Sequence, residues 1–357
     1  MMLRFVIAAL CVFGPSICTA HGGSINGEAT YIRFSVPGAL GTYPLGINAS
    51  MEVTGYYTAS STVTGGFLRE ADGTITTFDI AGGVRTEPEG INAAGDITGA
   101  YSPQSGPEQG FIRYADGRTV TIAGKPGTYQ TVFPVAINDF DDIAISEFFE
   151  GVFTSLMRSR TGALTTLPGV PTAINDSGSV IGILGDQYGF TGFVAHPDGY
   201  SALIGPVATS YCGDQTIPDA INAAGVMAGT FTQNYLSTSS CPQNTGGFVM
   251  SPSGEFTQFQ PPGQMPYFHD LDLIPGSYPH HLVSIDQAGD IAGSYIDATG
   301  AWHGFVRNPY GTISSFDPPE SGWTTVTSIN DGGAIAGYCQ SNTEGTGPAI
   351  GFIRVPQ

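Results

Sequence analysis

The chain consists of short stretches in which apolar and polar residues alternate, separated by turns rich in glycine. In the stretch 97–101, Ile97, Gly99 and Tyr101 lie on one face of an extended strand, because successive residues of a strand point to opposite faces. After the N-terminal segment, no stretch shows the hydrophobic period of about 3.6 residues that is typical of an amphipathic helix. The pattern therefore predicts an all-β protein.

One motif occurs seven times, and its clearest copy is Ile-Asn-Ala-Ala-Gly at residues 91–95. The copies, which keep the isoleucine and an Asn or Asp after it, begin at Ile47, Ile91, Ile137, Ile174, Ile221, Ile285 and Ile329. The Asn side chain can hydrogen-bond the backbone two residues on, and the glycine tolerates a positive φ, so the motif predicts a tight turn. A motif that recurs every 37 to 64 residues indicates a repeat architecture.

A second motif, Gly-Phe, lies between these turns in most repeats and is followed by another turn glycine, as in Gly66-Phe67 and Gly73. Each repeat then contains four short strands, which we call A to D. Strand A ends at Ile-Asn, strand B follows the turn glycine, strand C starts at Gly-Phe, and strand D ends at a large apolar residue such as Phe78. Four strands in about 45 residues, repeated seven times, predict a seven-bladed β-propeller of four-stranded blades.

The last repeat has strands A to C but no strand D before the sequence stops. A segment similar to strand D lies at the other end, where residues 34–38 are Phe-Ser-Val-Pro-Gly and resemble Phe-Gln-Pro-Pro-Gly at 259–263. We therefore predict that residues 31–36 pair with residues 351–354 and close the ring, which removes the open sheet edges. In this interpretation residues 21–357 form a single propeller domain.

Residues 1–20 have the features of a signal peptide. Arg4 gives a positive start, residues 5–13 are apolar, and Cys-Thr-Ala at 18–20 fits cleavage near Ala20. The apolar run is too short to span a bilayer as a mature helix, and no later stretch is long and apolar enough to do so. We therefore expect a secreted or periplasmic protein without a membrane span.

The net charge of −19, from 11 basic and 30 acidic residues, narrows the list of expected partners. An acidic surface of this kind repels the phosphates of nucleic acids and anionic lipid surfaces. The expected partners are an extracellular glycan, a peptide or a protein, and we expect the protein itself to be monomeric.

The lengths of the loops indicate which face of the propeller binds a ligand. The A–B and C–D turns lie on one face and are nearly constant, whereas the B–C and D–A loops lie on the other face and vary. Insertions confined to one face usually mark the binding surface. We call it the long-loop face, and its longest insertions are residues 205–218, 233–246, 261–282 and 340–350.

The longest insertion contains aromatic, histidine and aspartate side chains, and Trp302 and His303 follow in the predicted B–C loop of the same blade. Aromatic rings stack on sugars or peptide side chains, and carboxylates accept hydrogen bonds from them. The candidate ligand-binding residues are Tyr267, Phe268, His269, Asp270, Asp272, Tyr278, His281, Trp302 and His303. The alternative is that these aromatics only pack the insertion onto the ring.

The histidines and aspartates of the same insertion also raise the question of a metal. Imidazole together with carboxylate binds zinc or another divalent ion. The histidines at 269, 280 and 281 do not have the spacing of a His-x-x-x-His or His-Glu-x-x-His motif. We therefore predict no cofactor and keep a divalent metal as the alternative.

Three cysteines remain after the predicted cleavage. Cys212 lies in the D–A loop and Cys241 in the B–C loop of the fifth repeat, and an oxidising compartment favours a disulfide between them. Two free thiols are the alternative. Cys339 occupies the position of Tyr101 and Phe231 in other repeats, which predicts a half-buried packing role.

The third repeat departs most from the pattern and is crowded with carboxylates, namely Asp139, Asp141, Asp142, Glu147 and Glu150. A degenerate repeat can mark a functional site, because its strand positions are released for function, or it can be a solvated acidic turn. The sequence contains no nucleophile elbow, P-loop, dinucleotide motif or EF-hand loop.

The recurrent Ile-Asn-x-x-Gly-x-Ile-x-Gly-x-Tyr followed by Gly-Phe resembles the HAF repeat of a family of bacterial extracellular proteins. The nearest form of His-Ala-Phe is His303-Gly304-Phe305, and the similarity covers residues 30–357. The resemblance implies an exported repeat protein and supplies no catalytic residues. We therefore expect a binding module for an extracellular glycan, peptide or surface partner. The alternative is a secreted polysaccharide hydrolase or lyase that uses acidic and histidine residues of the long-loop face.

Overall fold

The computed structural model describes residues 29–60, 64–124, 129–186, 189–199, 201–205, 215–233, 244–264 and 283–357. Within these ranges every regular element is a β-strand, which confirms the all-β class. None of the described segments forms a helix that is long and apolar enough to cross a bilayer.

The described strands group into four-stranded antiparallel units, in which strands A to D pair in that order. The first strand of the described chain is β1 (Thr30–Phe34). Unit 1 is β2 (Gly41–Ile47), β3 (Val53–Thr58), β4 (Thr64–Arg69) and β5 (Ile75–Phe78). Unit 2 is β6 (Gly83–Ile91), β7 (Ile97–Pro103), β8 (Gln109–Arg113) and β9 (Thr119–Ile122). Unit 3 is β10 (Thr131–Ile137), β11 (Ile143–Phe149), β12 (Val152–Arg158) and β13 (Leu164–Thr166).

The remaining units follow the same order along the chain. Unit 4 is β14 (Val170–Ile174), β15 (Val180–Asp186), β16 (Gly189–Ala195) and β17 (Ser201–Ile204). Unit 5 is β18 (Gln215–Ile221), β19 (Met227–Gln233), β20 (Asn244–Met250) and β21 (Phe256–Phe259). Unit 6 is β22 (Val283–Ile285), β23 (Ile291–Ile296), β24 (Trp302–Arg307) and β25 (Ile313–Phe316). Unit 7 is β26 (Trp323–Ile329), β27 (Ile335–Gln340) and β28 (Ile350–Val355), with β1 as its fourth strand.

The N-terminal strand takes the place of the missing strand D of unit 7. β1 pairs with β28 in antiparallel register, with Tyr31 opposite Arg354 and Phe34 opposite Gly351. The predicted pairing between the two ends of the sequence is therefore present. Directly after β1, the backbone N–H of Val36 donates to Thr42 Oγ1 at 2.9 Å, which fixes the entry into unit 1.

The connections divide into a constant end and a variable end. Every A–B and C–D connection between the described strands has five residues, as in residues 48–52 and 70–74, whereas the B–C and D–A connections differ in length. Because neighbouring strands are antiparallel, the two kinds of constant turn lie at one end of each unit and the variable loops at the other. Single parallel bridges, Thr64 to Arg85 and Trp302 to Trp323, link units 1 and 2 and units 6 and 7.

The core contains one fully buried phenylalanine of the Gly-Phe motif in every unit except unit 3, namely Phe67, Phe111, Phe193, Phe248, Phe305 and Phe352. In three cases its ring meets, edge to face, the last strand-D phenylalanine of the preceding unit. Phe78 meets Phe111 at 6.3 Å between ring centroids, and Phe259 meets Phe305 at 5.9 Å. The strand-C arginine two residues later covers the same strand-D ring, as Arg113 covers Phe78 at 4.7 Å. Aromatic pairing and cation–π contact thus join successive units.

The first position of the Gly-Phe motif has no room for a side chain, because strand D lies against it. A Cβ on Gly66 would come within 2.8 Å of the Phe78 ring and 3.0 Å of Pro88 in strand β6 of the next unit. Strand C also begins before this motif, at Thr64 in unit 1 and at Asn244 in unit 5. The predicted start of strand C at Gly-Phe is therefore wrong by one to three residues.

Candidate functional site

The A strands of all the units line one cavity of about 280 Å³, which we call the axial cavity. In six of these strands the pairing register shifts by one residue, as between Pro88 and Gly90 in β6 and between Pro218 and Ala220 in β18. Such a bulge leaves one residue out of the ladder and re-aims its side chain. The six bulged residues all line the cavity, and they are Leu45, Glu89, Val135, Thr172, Asp219 and Thr327.

The bulge explains the glycine of strand B, which the sequence pattern had placed only on a strand face. A Cβ on Gly99 would overlap the carbonyl oxygen of Glu87, and one on Gly229 would overlap that of Ile217. The bulge pushes each carbonyl into the space where a side chain would begin. The strand-B glycine therefore makes room for the strand-A bulge, and the bulged residue lines the cavity.

The lining of the axial cavity is acidic. It includes the carboxylates of Glu89, Asp139, Asp176, Asp219 and Asp331, and no described Lys, Arg or His lines it. Asp219 is 2% exposed, and neither of its carboxylate oxygens has a hydrogen-bond partner in the described chain. Burial raises the pKa of Asp219 well above its usual range, because a buried charge without a partner is costly. Burial, reinforced by the charge of Glu87 and opposed by Arg85, also raises the pKa of Glu89.

At the constant end, asparagine side chains link the units around the cavity. Asn92 Oδ1 accepts hydrogen bonds from the backbone N–H groups of Ala94 and Asp96 at 3.1 and 2.9 Å, and so holds its own turn. Asn92 Nδ2 donates to the carbonyl of Asn138 in the next unit at 3.2 Å. The same inter-unit bond is made by Asn48, Asn138, Asn175, Asn222 and Asn330. Asp286 takes this position in unit 6, where burial raises its carboxyl pKa.

Most of the ligand-binding residues predicted from the sequence lie outside the described residues. These are Tyr267, Phe268, His269, Asp270, Asp272, Tyr278 and His281, and the predicted Cys212–Cys241 disulfide also falls outside. Trp302 and His303 are described, and both lie on strand β24 rather than in the B–C loop where we predicted them. The reason is a short turn at 297–301, in which Asp297 Oδ1 accepts from the backbone N–H of Thr299 at 2.8 Å.

The structure does not bring Trp302 and His303 together, because adjacent residues of a strand point to opposite faces. Trp302 stacks on Trp323 of unit 7, with centroids 5.3 Å apart and planes at 24°. His303 packs on Tyr295 at 5.3 Å. Its Nδ1 lies 2.7 Å from Asp317 Oδ2 and its Nε2 lies 3.3 Å from Asp297 Oδ2.

His303 is therefore held between two carboxylates. Burial lowers its pKa, but the hydrogen bonds and charges of Asp317 and Asp297 outweigh burial, and the pKa is raised. The pKa of Asp297 is lowered, first by the Thr299 hydroxyl. Both imidazole nitrogens have a partner, so this histidine connects the turn at 297–301 with the segment that follows β25. In the described part of the chain, no group of three or more His, Cys, Asp and Glu side chains is close enough to hold a metal ion.

A tyrosine cluster that the sequence analysis missed lies between units 1 and 7. Tyr43 stacks on Tyr56 at 4.7 Å and meets Tyr338 edge to face at 5.2 Å. Burial raises the pKa of both Tyr56 and Tyr338. The sequence does contain a signal for this cluster. Tyr56 and Tyr338 directly follow the strand-B glycine, where units 2 and 5 have Ala100 and Thr230.

Three of the unit 3 carboxylates accept hydrogen bonds from separate partners. Asp139 Oδ1 accepts from the N–H of Ala93 at 2.7 Å, and Asp142 Oδ1 accepts from the N–H of Arg160 at 3.1 Å. Glu147 Oε2 accepts from Gln130 at 2.6 Å. Asp141 Oδ1 accepts from Asn92 Nδ2 at 3.1 Å. Burial, reinforced by the neighbouring Asp96 carboxyl, raises the pKa of Asp141. Cys339 is fully buried rather than half-buried, and burial raises the pKa of its thiol.

No protein-family model and no curated protein matches the chain. Among solved structures, virginiamycin B lyase from Staphylococcus aureus is similar, with 14% identity, a TM-score of 0.54, and coverage of 92% of this chain and 99% of that chain. Acylaminoacyl peptidase from Pyrococcus horikoshii has 8% identity and a TM-score of 0.51, over 89% of this chain and 52% of that chain. Prolyl oligopeptidase B from Galerina marginata has 8% identity and a TM-score of 0.52, over 88% and 46%.

The chain thus spans about half the length of the two peptidases. The structural neighbours are β-propeller proteins with different activities. At these identities the likeness shows the fold alone, and the chain therefore has a β-propeller-like all-β fold.

Proposed function

We propose that units 1 to 7 are the blades of one propeller closed by β1, and that the protein is an exported binding module for an extracellular ligand. Three contacts between the first and last units support the closed ring. Asn330 Nδ2 donates to the carbonyl of Asn48 at 2.8 Å, as the other asparagines do between neighbouring units. Phe34 of β1 meets Phe67 edge to face at 6.1 Å, and Arg69 covers Phe34 at 5.2 Å.

The stacked pair of Trp302 and Trp323 supports a ligand site on the long-loop face. Both indoles are half-buried, and they meet at the junction of units 6 and 7, beside the loop that follows β27. A Cβ on Gly345 of that loop would come within 3.0 Å of the Trp323 ring. Indole faces stack on the apolar faces of sugars. The proposed ligand is a neutral glycan, because a net charge of −19 disfavours an anionic one.

The proposal is tested with the full exported chain on glycan and peptide arrays. The double variant Trp302→Ala with Trp323→Ala should weaken binding at least about tenfold, since each removes a stacking surface. The matched control, Asn92→Ala with Asn222→Ala, changes the opposite face and should leave affinity unchanged in folded protein. Loss of binding in the control but not in the tryptophan variant would place the ligand elsewhere. Product release from a polysaccharide panel would instead favour the enzyme alternative.

A further inference from the structure

The bulge on β18 does not require the carboxylate of Asp219. It lies on β18 at the bulge position that leucine or valine occupies in units 1 and 3, as Leu45 and Val135 show. An apolar side chain is therefore sufficient for this position. A carboxylate that is 2% exposed and has no hydrogen-bond partner costs folding free energy, so it needs another reason to be there.

The surroundings of Asp219 offer oxygen atoms and negative charge. Glu89 faces the same cavity from unit 2, and the hydroxyl-bearing residues Ser284, Thr327 and Ser328 line it as well. No described basic side chain lines the cavity, and the charge of Arg85 reaches only Glu89, from outside the lining. Carboxylate and hydroxyl oxygens are the ligands that Mg²⁺ and Ca²⁺ prefer. A cavity of about 280 Å³ has room for such an ion together with several waters.

We propose that the axial cavity binds a hydrated divalent cation, with Asp219 as its direct carboxylate ligand and Glu89 acting through water. The ion keeps waters because the described chain brings no three acidic or imidazole side chains close enough to replace them. This arrangement, with one or two carboxylates and several waters, is typical of Mg²⁺. The site is separate from the long-loop face and does not depend on the proposed glycan binding.

Three further carboxylates line the constant end of the cavity. Asp139, Asp176 and Asp331 line this end, and each accepts one backbone N–H bond, at 2.7, 3.0 and 3.2 Å. These bonds fix the three carboxylates at this end of the cavity. A cavity lined by one sign of charge raises the local concentration of the opposite ion.

The test uses the full chain, stripped with EDTA and then titrated with MgCl₂ or CaCl₂ at constant ionic strength set with KCl. Calorimetry should show one divalent ion per chain, and the Tm should rise with its concentration. Asp219→Asn, which keeps the shape and removes the charge, should lose both effects. Glu89→Gln should weaken affinity about 10–100-fold, as for other groups that act through a metal-bound water.

The control is Glu255→Gln, which removes the same charge from an exposed turn of unit 5 and should bind the ion as the unchanged protein does. Equal loss of binding in this control would show a diffuse surface effect and overturn the site. Absence of a divalent-dependent Tm in the unchanged protein, or stabilisation by spermidine but not by Mg²⁺ or Ca²⁺, would also overturn it. If Asp219→Asn does not fold, unchanged affinity of Glu89→Gln contradicts the proposal.

Discussion

At the scale of single residues, His303, which directly precedes the Gly-Phe motif of unit 6, forms ion pairs with two aspartates. Its two nitrogens lie against Asp317 and Asp297, and its pKa is raised above the ordinary value. The contribution of the ion pairs to stability is therefore present below about pH 6.5 and is lost as the pH rises through the folded-state pKa.

We predict that His303→Gln lowers the free energy of unfolding by about 0.5–1 kcal/mol at pH 5.5, because both partners are partly exposed and screened. The difference from the unchanged protein should shrink by pH 9. Urea unfolding at the two pH values measures it. A destabilisation that is the same at both would mean that packing on Tyr295, not charge, is what the histidine provides.

Gly229 shows that the bulge leaves no room for a side chain on strand B. A Cβ there would overlap the carbonyl of Ile217 and lie 2.8 Å from the Phe248 ring. We predict that Gly229→Ala destabilises the protein by about 1–3 kcal/mol, the usual cost of overpacking. The control is Gly90→Ala, whose Cβ would meet its nearest atom at 3.7 Å and which should be neutral or slightly stabilising. Equal effects of the two variants in thermal unfolding would contradict the account of the bulge.

At the scale of the elements, the sequence predicted the turns well because their chemistry is local. The glycine of Asn-x-x-Gly adopts a positive φ in Gly95 and Gly225, and Asp141 takes the same conformation where glycine is absent. The order of the strands also follows from the pattern within one repeat. The pairing of β1 with β28 follows from the similarity of residues 34–38 to the strand-D segments of other repeats.

Contacts between repeats could not be predicted in the same way. The inter-unit bond from Asn92 to Asn138 joins residues 46 apart, and nothing in the motif itself encodes it. The bulge that turns Asp219 toward the cavity is likewise visible only in the pairing register. His303 was misplaced because Asp297 and Gly300 form a five-residue turn that starts strand C early.

We predict that Asn92→Ala with Asn222→Ala lowers the free energy of unfolding by about 2–6 kcal/mol. Each substitution leaves the N–H groups of its turn and one carbonyl of the next unit without a partner, at about 1–3 kcal/mol per site. Equilibrium unfolding in urea measures the loss. A variant as stable as the unchanged protein would mean that water replaces these bonds at no cost.

At the scale of the whole molecule, the long-loop face and the axial cavity both follow from one claim, that the units form a single ring. A ring places the A strands around a common axis and collects the variable loops on one side. If the ring were open between units 7 and 1, β1 would be a frayed terminal strand, and its side chains would contribute little to stability.

The most direct test of the ring is the effect of Phe34→Ala compared with Phe78→Ala. Phe34 packs on Phe67 as Phe78 packs on Phe111, although Phe34 lies close to the start of the described chain. The closed ring predicts that both substitutions lower the free energy of unfolding by a similar amount, about 3–5 kcal/mol, in one cooperative transition. Leu40→Ala, at a side chain that is 60% exposed, is the control and should have little effect. A loss for Phe34→Ala no larger than that of the control, with Phe78→Ala strongly destabilised, would contradict the closed ring.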